Sequence, residues 1–251
     1  MSWLWIGLTA LFVLDAFRLR GRASALPVGE PSAGDSAGYS LVIAPGALVS
    51  PEAAAAAAQF AREQKLDVVD LIPPTAPTRV ALGFLQMFDP ATGRSDRFAR
   101  GRTAGTALLV SDRVLAHAAV EPPSDQAELQ RVAQALKKHA SAGMDALVIP
   151  GLVPAPDPAE GQWAGLTAAV GGMAKFAVIA QLVITALFVV ALLDEPLWGV
   201  ILLASWQLQP VMALAGTSLR PADLGLTPLA RLLMELKSWT QALTQRSRSA
   251  T

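Results

Sequence analysis

The chain predicts an α/β domain with a largely parallel sheet, joined to three membrane-spanning helices. Two observations carry that expectation. A short apolar stretch at the N-terminus and two uncharged stretches of near-spanning length toward the C-terminus flank a region where short apolar runs alternate with helix-like segments at the spacing of β/α units. Hydrophobic residues make up 53% of the 251 positions, and the mean hydropathy of +0.42 is high for a wholly soluble chain.

At the N-terminus, Trp3 to Leu14 is apolar and is followed by Asp15, Arg18, Arg20 and Arg22. No basic residue precedes the apolar stretch and no clean small-residue cleavage site follows it, so residues 1–22 read as a retained membrane anchor. Residues 23–38, ASALPVGEPSAGDSAG, have the Pro, Gly, Ser and Ala content of a linker.

From 39 to 160 the pattern alternates, giving the domain that would lie in the cytoplasm. The expected elements are a strand at Ser40–Ala44, a helix at Pro51–Gln64, a strand at Asp67–Ile72 and a helix at Arg79–Phe88. A Gly- and Arg-rich loop then leads to a strand at Thr106–Val110, followed by Val114–Ala118, a helix over Asp125–Ala142 and a strand at Ala146–Ile149. Ser50 with Pro51 marks one helix start, and Asp125 with Glu128 forms a D-x-x-E capping box at another. The alanine run Ala53–Ala58 suits close packing of a helix on a sheet.

Residues 161–175 read as an interfacial segment and 176–216 as a transmembrane hairpin. Phe176 to Leu193 is uncharged, about 27 Å of helix. An acidic turn, Asp194-Glu195-Pro196, precedes a second uncharged stretch, Leu197 to Gly216. Trp206, Gln207, Gln209 and Pro210 mark this helix as the place for an intramembrane or partner contact, because buried amides in lipid need a hydrogen-bonding neighbour. In the tail, 217–251, leucines at helical spacing alternate with Arg231, Lys237 and Arg246, the pattern of a basic amphipathic helix at a membrane surface. The distribution of Lys and Arg places the N-terminus and the acidic turn outside, and the middle domain and tail in the cytoplasm of a bacterial-type inner membrane.

Charge and composition exclude several classes. Twenty basic and twenty acidic residues cancel, so no basic field points to nucleic acid. With no cysteine there is no thiolate chemistry and no Cys-ligated metal. His117 and His139 fall on separate elements far apart in sequence, so no metal site is expected.

The order LVIAPGALVSPEAAAAAAQFAREQKLDVVDLIP, GRTAGTALLVSDRVLAHA, PPSDQAELQRVAQALKKHASAGMDALVIPG and EGQWAGLTAAVGGMAKF, ending in a hydrophobic hairpin, resembles the later half of membrane-bound family 2 glycosyltransferases. The resemblance covers roughly Ser40 to Gly216 and implies a small Rossmann-like domain, a truncated version of the GT-A fold. It implies a metal-binding Asp-x-Asp at the end of the first strand, where this chain has Ala44, Pro45 and Gly46. It also implies a general base near Ser124-Asp125, which Asp125 can supply, and a Gln-x-x-Arg-Trp motif, of which only Gln162-Trp163 is present. The family's two nucleotide-binding β/α units have no counterpart before Tyr39.

These departures give the expectation of a non-catalytic accessory or structural subunit of a larger membrane complex, a degenerate glycosyltransferase-like pseudoenzyme without cofactor. The alternative is an active membrane glycosyltransferase carrying sugar from a nucleotide sugar to a lipid-type acceptor, with Asp125 as base and Mg²⁺ or Mn²⁺ as cofactor. Arg94, Arg97, Arg100 and Arg102, clustered in one loop, have the chemistry to bind anions or lipid headgroups. The partners implied are other membrane subunits and anionic lipid.

Overall fold

A computed structural model describes residues 2–90, 103–141, 143–154 and 174–226. The protein is a mixed α/β structure. Helix α1 (Ser2–Ala25) is followed by β1 (Tyr39–Ile43), β2 (Leu48–Val49), α2 (Pro51–Gln64), β3 (Val68–Ile72) and α3 (Thr78–Met87). Then come β4 (Ala107–Ser111), α4 (Asp112–Ala118), α5 (Gln126–His139), β5 (Met144–Val148) and β6 (Leu152–Val153). The hairpin follows as α6 (Ala174–Asp194) and α7 (Pro196–Leu214), with a 3₁₀ turn at Leu224–Leu226.

The main sheet has the order β1-β4-β3-β5. It is not largely parallel. β4 runs antiparallel to both β1 and β3, with Leu41 opposite Leu109 and Val69 opposite Leu109, while β3 and β5 pair in parallel. Alternation of strand and helix fixes how many units there are but not their direction, and here β4 is inserted between two strands that point the other way. Val114–Ala118 is helical, part of α4, which starts directly after β4 with Asp112 in its first turn.

The period-2 rule sorts the sheet's side chains onto two faces. Val69, Leu71, Ala107, Leu109 and Leu147 pack against the alanines of α2. Short side chains let that helix lie close, and Ala53, Ala57, Ala58 and Ala61 are fully buried. Ser50 caps α2 by accepting from the Ala53 amide at 3.2 Å, as the sequence indicates. On the opposite face, α4 and α5 cover Val68, Leu108, Val110 and Met144. The far end of the same face, Ile72, Ala146 and Val148, is covered by α3 together with Leu19, Ala23 and Leu26 of the N-terminal segment and Ala213 and Leu214 of α7.

That last cluster joins what the sequence divides. α1 is one continuous helix of 24 residues whose C-terminal turns lie in the core of the α/β domain. The stretch read as a linker also joins the sheet: the Gly29 amide donates to Val148 O at 2.8 Å and the Val148 amide to Pro27 O at 2.9 Å, extending the β5 edge. Backbone pairing of this kind needs no side-chain pattern, so Pro- and Gly-rich composition conceals it.

At the other end of the bundle, Trp5, Phe188, Ala191, Leu202 and Trp206 form a separate core. Trp5 Nε1 donates to Asp194 Oδ2 at 3.1 Å, which puts the start of α1 beside the α6–α7 turn. A Cβ at Gly199 would lie 2.6 Å from Leu192 N, so that glycine is what lets α7 start so close to α6. Among the described residues, Pro196–Leu214 alone is a helix long and apolar enough to cross a membrane, and Val183–Asp194 is a shorter apolar stretch.

Candidate functional site

The elements that position polar side chains meet at the junction between the helical bundle and the sheet. Asp15 on α1 accepts from Gln209 Nε2 of α7 at 2.7 Å and pairs with Arg18 at 2.7 Å. Arg20 Nη1 donates to Met212 O at 3.2 Å, near the end of α7. Arg22 reaches the end of α3, donating through Nη1 to Leu85 O at 2.8 Å and Gln86 O at 3.2 Å, and through Nη2 to Asp89 at 3.1 Å. The last carbonyls of a helix have no intrahelical partner, so a cation there satisfies them and complements the dipole. Arg20 and Arg22, two of the arginines that follow the apolar stretch in the sequence, therefore cap helix C-termini in the structure, while Arg18 pairs with Asp15.

A strap after α7 closes the junction. Asp223 Oδ1 accepts from the Thr78 amide at 3.0 Å and from Thr78 Oγ1 at 2.9 Å, supplying the start of α3 with the cap its own Pro77 cannot provide. The Arg220 amide donates to Pro74 O at 2.6 Å, and Ser218 Oγ to Ala23 O at 3.3 Å.

Within the bundle the four residues singled out on α7 have different environments. Trp206 stacks at a tilt on Phe188, with ring centroids 5.2 Å apart. Pro210 is buried inside the helix, as is Gln209 against Asp15. Gln207 is buried too, yet neither its Nε2 nor its Oε1 has a hydrogen-bond partner among the described residues.

The loop where the resemblance implies metal ligands is a tight turn. The Ala47 amide donates to Ala44 O at 3.0 Å, Pro45 and Gly46 occupy the two central positions, and Gly46 has φ of 78°. Pro then Gly is the pairing such a turn demands, since the third position needs a positive φ. β2 leaves this turn to pair with β6, so the segment docks on the chain beyond β5. Among the described residues no group of three metal-ligating side chains is present.

Asp125 is the N-cap of α5: its Oδ1 accepts from the Glu128 amide at 2.6 Å, and Glu128 in return accepts from the Ser124 amide at 2.8 Å and from its hydroxyl. These bonds hold the Glu128 carboxyl below its ordinary value, the Ser124 hydroxyl first, then the Ser124 amide, with Arg131 adding to the effect and burial opposing it. Arg94, Arg97, Arg100 and Arg102 lie outside the described residues, as do Gln162-Trp163 and the tail from 227.

Sequence reasoning missed one buried polar cluster. Asp70, at the centre of the sheet, and Lys137 of α5 form an ion pair with side chains 0% and 2% exposed. The Ala104 amide donates to Asp70 Oδ1 at 3.3 Å, and Gln130 Nε2 to Thr103 O at 3.2 Å. The signal was present: a carboxylate in the middle of VVDLI, an otherwise apolar strand, requires a buried cation.

Comparison with family models, with curated proteins and with solved structures finds no match.

Proposed function

We propose that the protein is a non-catalytic, membrane-mounted accessory subunit, holding a small α/β module in a fixed orientation beside a larger membrane complex. The observation that carries this is the continuity of α1 from the apolar bundle into the core of the sheet domain. Arg20 ties α1 to α7, Arg22 ties α1 to α3, and Asp223 ties the segment after α7 to the start of α3. A catalytic domain that must open and close on substrate gains nothing from such a mount, whereas a docking module does.

The bundle presents an apolar exterior suited to lipid or to partner helices: Trp3, Leu11, Leu14 and Phe17 on α1, Val183, Val189 and Leu193 on α6, and Leu197 and Val200 on α7 are exposed. The start of α1 and the α6–α7 turn share one end of the bundle, in keeping with a topology that leaves the sheet domain in the cytoplasm of a bacterial-type inner membrane. In this reading all three helices cross the bilayer and the module is a truncated GT-A-like layer, with the Ala44–Gly46 turn in place of a metal site. Its partners are other membrane subunits and anionic lipid headgroups.

The active transferase reading needs Asp125 as base, and that carboxylate is engaged in capping α5. Gentle extraction from the native membrane followed by size-exclusion chromatography and mass spectrometry tests the proposal. A stoichiometric membrane complex is the expected result. A lone protein that gains thermal stability with a nucleotide sugar and Mn²⁺ would overturn it in favour of the enzyme.

A further inference from the structure

His117 and His139, the chain's two histidines, come together in the structure. They line one open cleft of about 90 Å³ with Arg113, Val114 and Ser141, well above the roughly 10–15 Å³ that one water needs. α4 contributes Arg113 and His117 one turn apart, and the end of α5 contributes His139 and the residues after it. Packing of Val114 of α4 beside Leu129, Val132, Ala133 and Leu136 of α5 is what brings the two helix ends together.

The polar groups at the back of the cleft are held in place by Asp67. Arg113 Nη2 lies 2.8 Å from both oxygens of Asp67 and 2.8 Å from Ser141 Oγ, while the Ser141 amide donates to Asp67 Oδ2 at 2.8 Å. All of these guanidinium contacts run through Nη2, which leaves Nε and Nη1 unengaged among the described residues. His117 Nδ1 is 2.7 Å from Arg113 O. A carbonyl oxygen only accepts, so that nitrogen carries the proton and Nε2 is left for a ligand.

The other ionisable groups nearby are Lys138, exposed on α5, and Tyr39, whose hydroxyl lies behind Asp67 and donates to Leu66 O at 3.0 Å. Of the carboxylates nearby, Asp67 is engaged by Arg113, Ser111 and Ser141, and Asp112, beside Arg113 in sequence, accepts from Ser40 Oγ at 2.7 Å. Among the described residues no carboxylate lines the cleft itself. A metal cation would sit beside a guanidinium with two imidazoles and no acid to offset its charge, which disfavours it. The Ser141 hydroxyl accepts from Arg113 and donates to Asp67 Oδ2 at 3.4 Å, so an oxyanion meets the remaining N–H groups of Arg113 and, once protonated, both imidazoles.

We propose that this cleft binds a phosphate-type oxyanion. It lies at the Asp67, Ser111 and Gly143 end of the sheet, while the helical bundle packs on the Ile72 and Val148 end, about 17 Å away along a five-residue strand. The ligand therefore comes from the aqueous phase, as free phosphate or a soluble phosphomonoester, and not from the headgroups of the bilayer around the bundle.

NMR of the two imidazoles in the full chain, reconstituted in nanodiscs of uncharged lipid and titrated with inorganic phosphate, tests this. Both rings should shift saturably. His117→Gln and His139→Gln, surface changes that leave the core intact, should each weaken binding on the order of tenfold, the loss of one charge-assisted bond. Lys138→Gln should change affinity by less than about twofold, the behaviour of a screened surface charge. Absence of a saturable shift, or unchanged affinity in the doubly substituted protein, overturns the proposal. So does saturable binding of Zn²⁺ at the same rings without phosphate binding, which would make the cleft a metal site. A response to vesicles containing phosphatidic acid but not to inorganic phosphate would overturn the assignment to a soluble ligand.

Discussion

Asp67 and Asp70 stand three residues apart, one just before β3 and the other at its centre, and each meets a cation from a neighbouring helix. Their surroundings differ. Asp70 is fully buried, with Lys137 and the Ala104 amide as partners. Asp67 is 6% exposed but its Arg113 partner is 55% exposed, and it accepts in addition from Ser111 Oγ and the Ser141 amide. The same pairing of charges therefore does two jobs. At the centre it closes a polar gap between two apolar clusters, and at the edge it fixes the donors of a surface cleft.

The largest effect should come from breaking the central pair. Lys137→Ala leaves a carboxylate in the core without its cation, at a cost of about 3–5 kcal/mol in chemical denaturation of the full chain. The double change Asp70→Leu with Lys137→Met, which removes both charges and keeps volume, should recover most of that loss. If the double variant is no more stable than Lys137→Ala, the central pair does more than neutralise itself.

At the edge, Asp67→Asn should cost about 1–3 kcal/mol, the loss of hydrogen bonds to a charge with solvent at hand. It carries a second readout. Tyr39, the chain's one tyrosine, has its phenol held above the ordinary value of 10.0, by burial first and then by the negative charge of Asp67, with Arg62 acting against them. A raised value in the folded protein means that the stability linked to this phenol is intact below pH 10.0 and is lost as pH rises through the raised value. Asp67→Asn should bring the phenolate absorbance transition to lower pH. An unchanged transition would mean that the edge carboxylate and Tyr39 are not coupled.

How much of this was legible beforehand differs along the chain. α2 runs from Pro51 to Gln64, as Ser50-Pro51 at its start and its composition indicate, because caps and helix formers act locally. The direction of β4 was not legible, since antiparallel and parallel neighbours read alike when both faces of a strand are buried. The roles of Arg20 and Arg22 were hidden for a related reason: their partners are backbone carbonyls of α7 and α3, which have no residue-type signature. His117 and His139 looked unrelated because the packing of α4 on α5, not sequence spacing, brings them to one cleft.

A third carboxylate extends the comparison toward solvent. Asp125 caps α5, the helix that carries Lys137, and Asp125→Ala should cost about 1 kcal/mol in the same denaturation experiment. Asp125→Asn keeps the oxygen acceptor and should cost less, so a loss as large as that of Lys137→Ala would show the cap to be more than a local feature.

The smallest effect belongs to Glu128, which completes that cap at the partly exposed surface. Its carboxyl is held below the ordinary value of 4.5, first by the Ser124 hydroxyl, then by the Ser124 amide and the Arg131 charge, with burial opposing. A lowered value in the folded protein means that the linked stability is present above pH 4.5 and disappears as pH falls through the lowered value. Glu128→Gln removes that titration while keeping an acceptor for Ser124. Wild type and variant should therefore differ in the slope of stability against pH below pH 4.5 and run parallel above it. Parallel curves throughout would mean that water competes fully with Ser124 for the carboxylate. A carboxylate in solvent has that alternative at every pH, and Asp70, without water around it, does not.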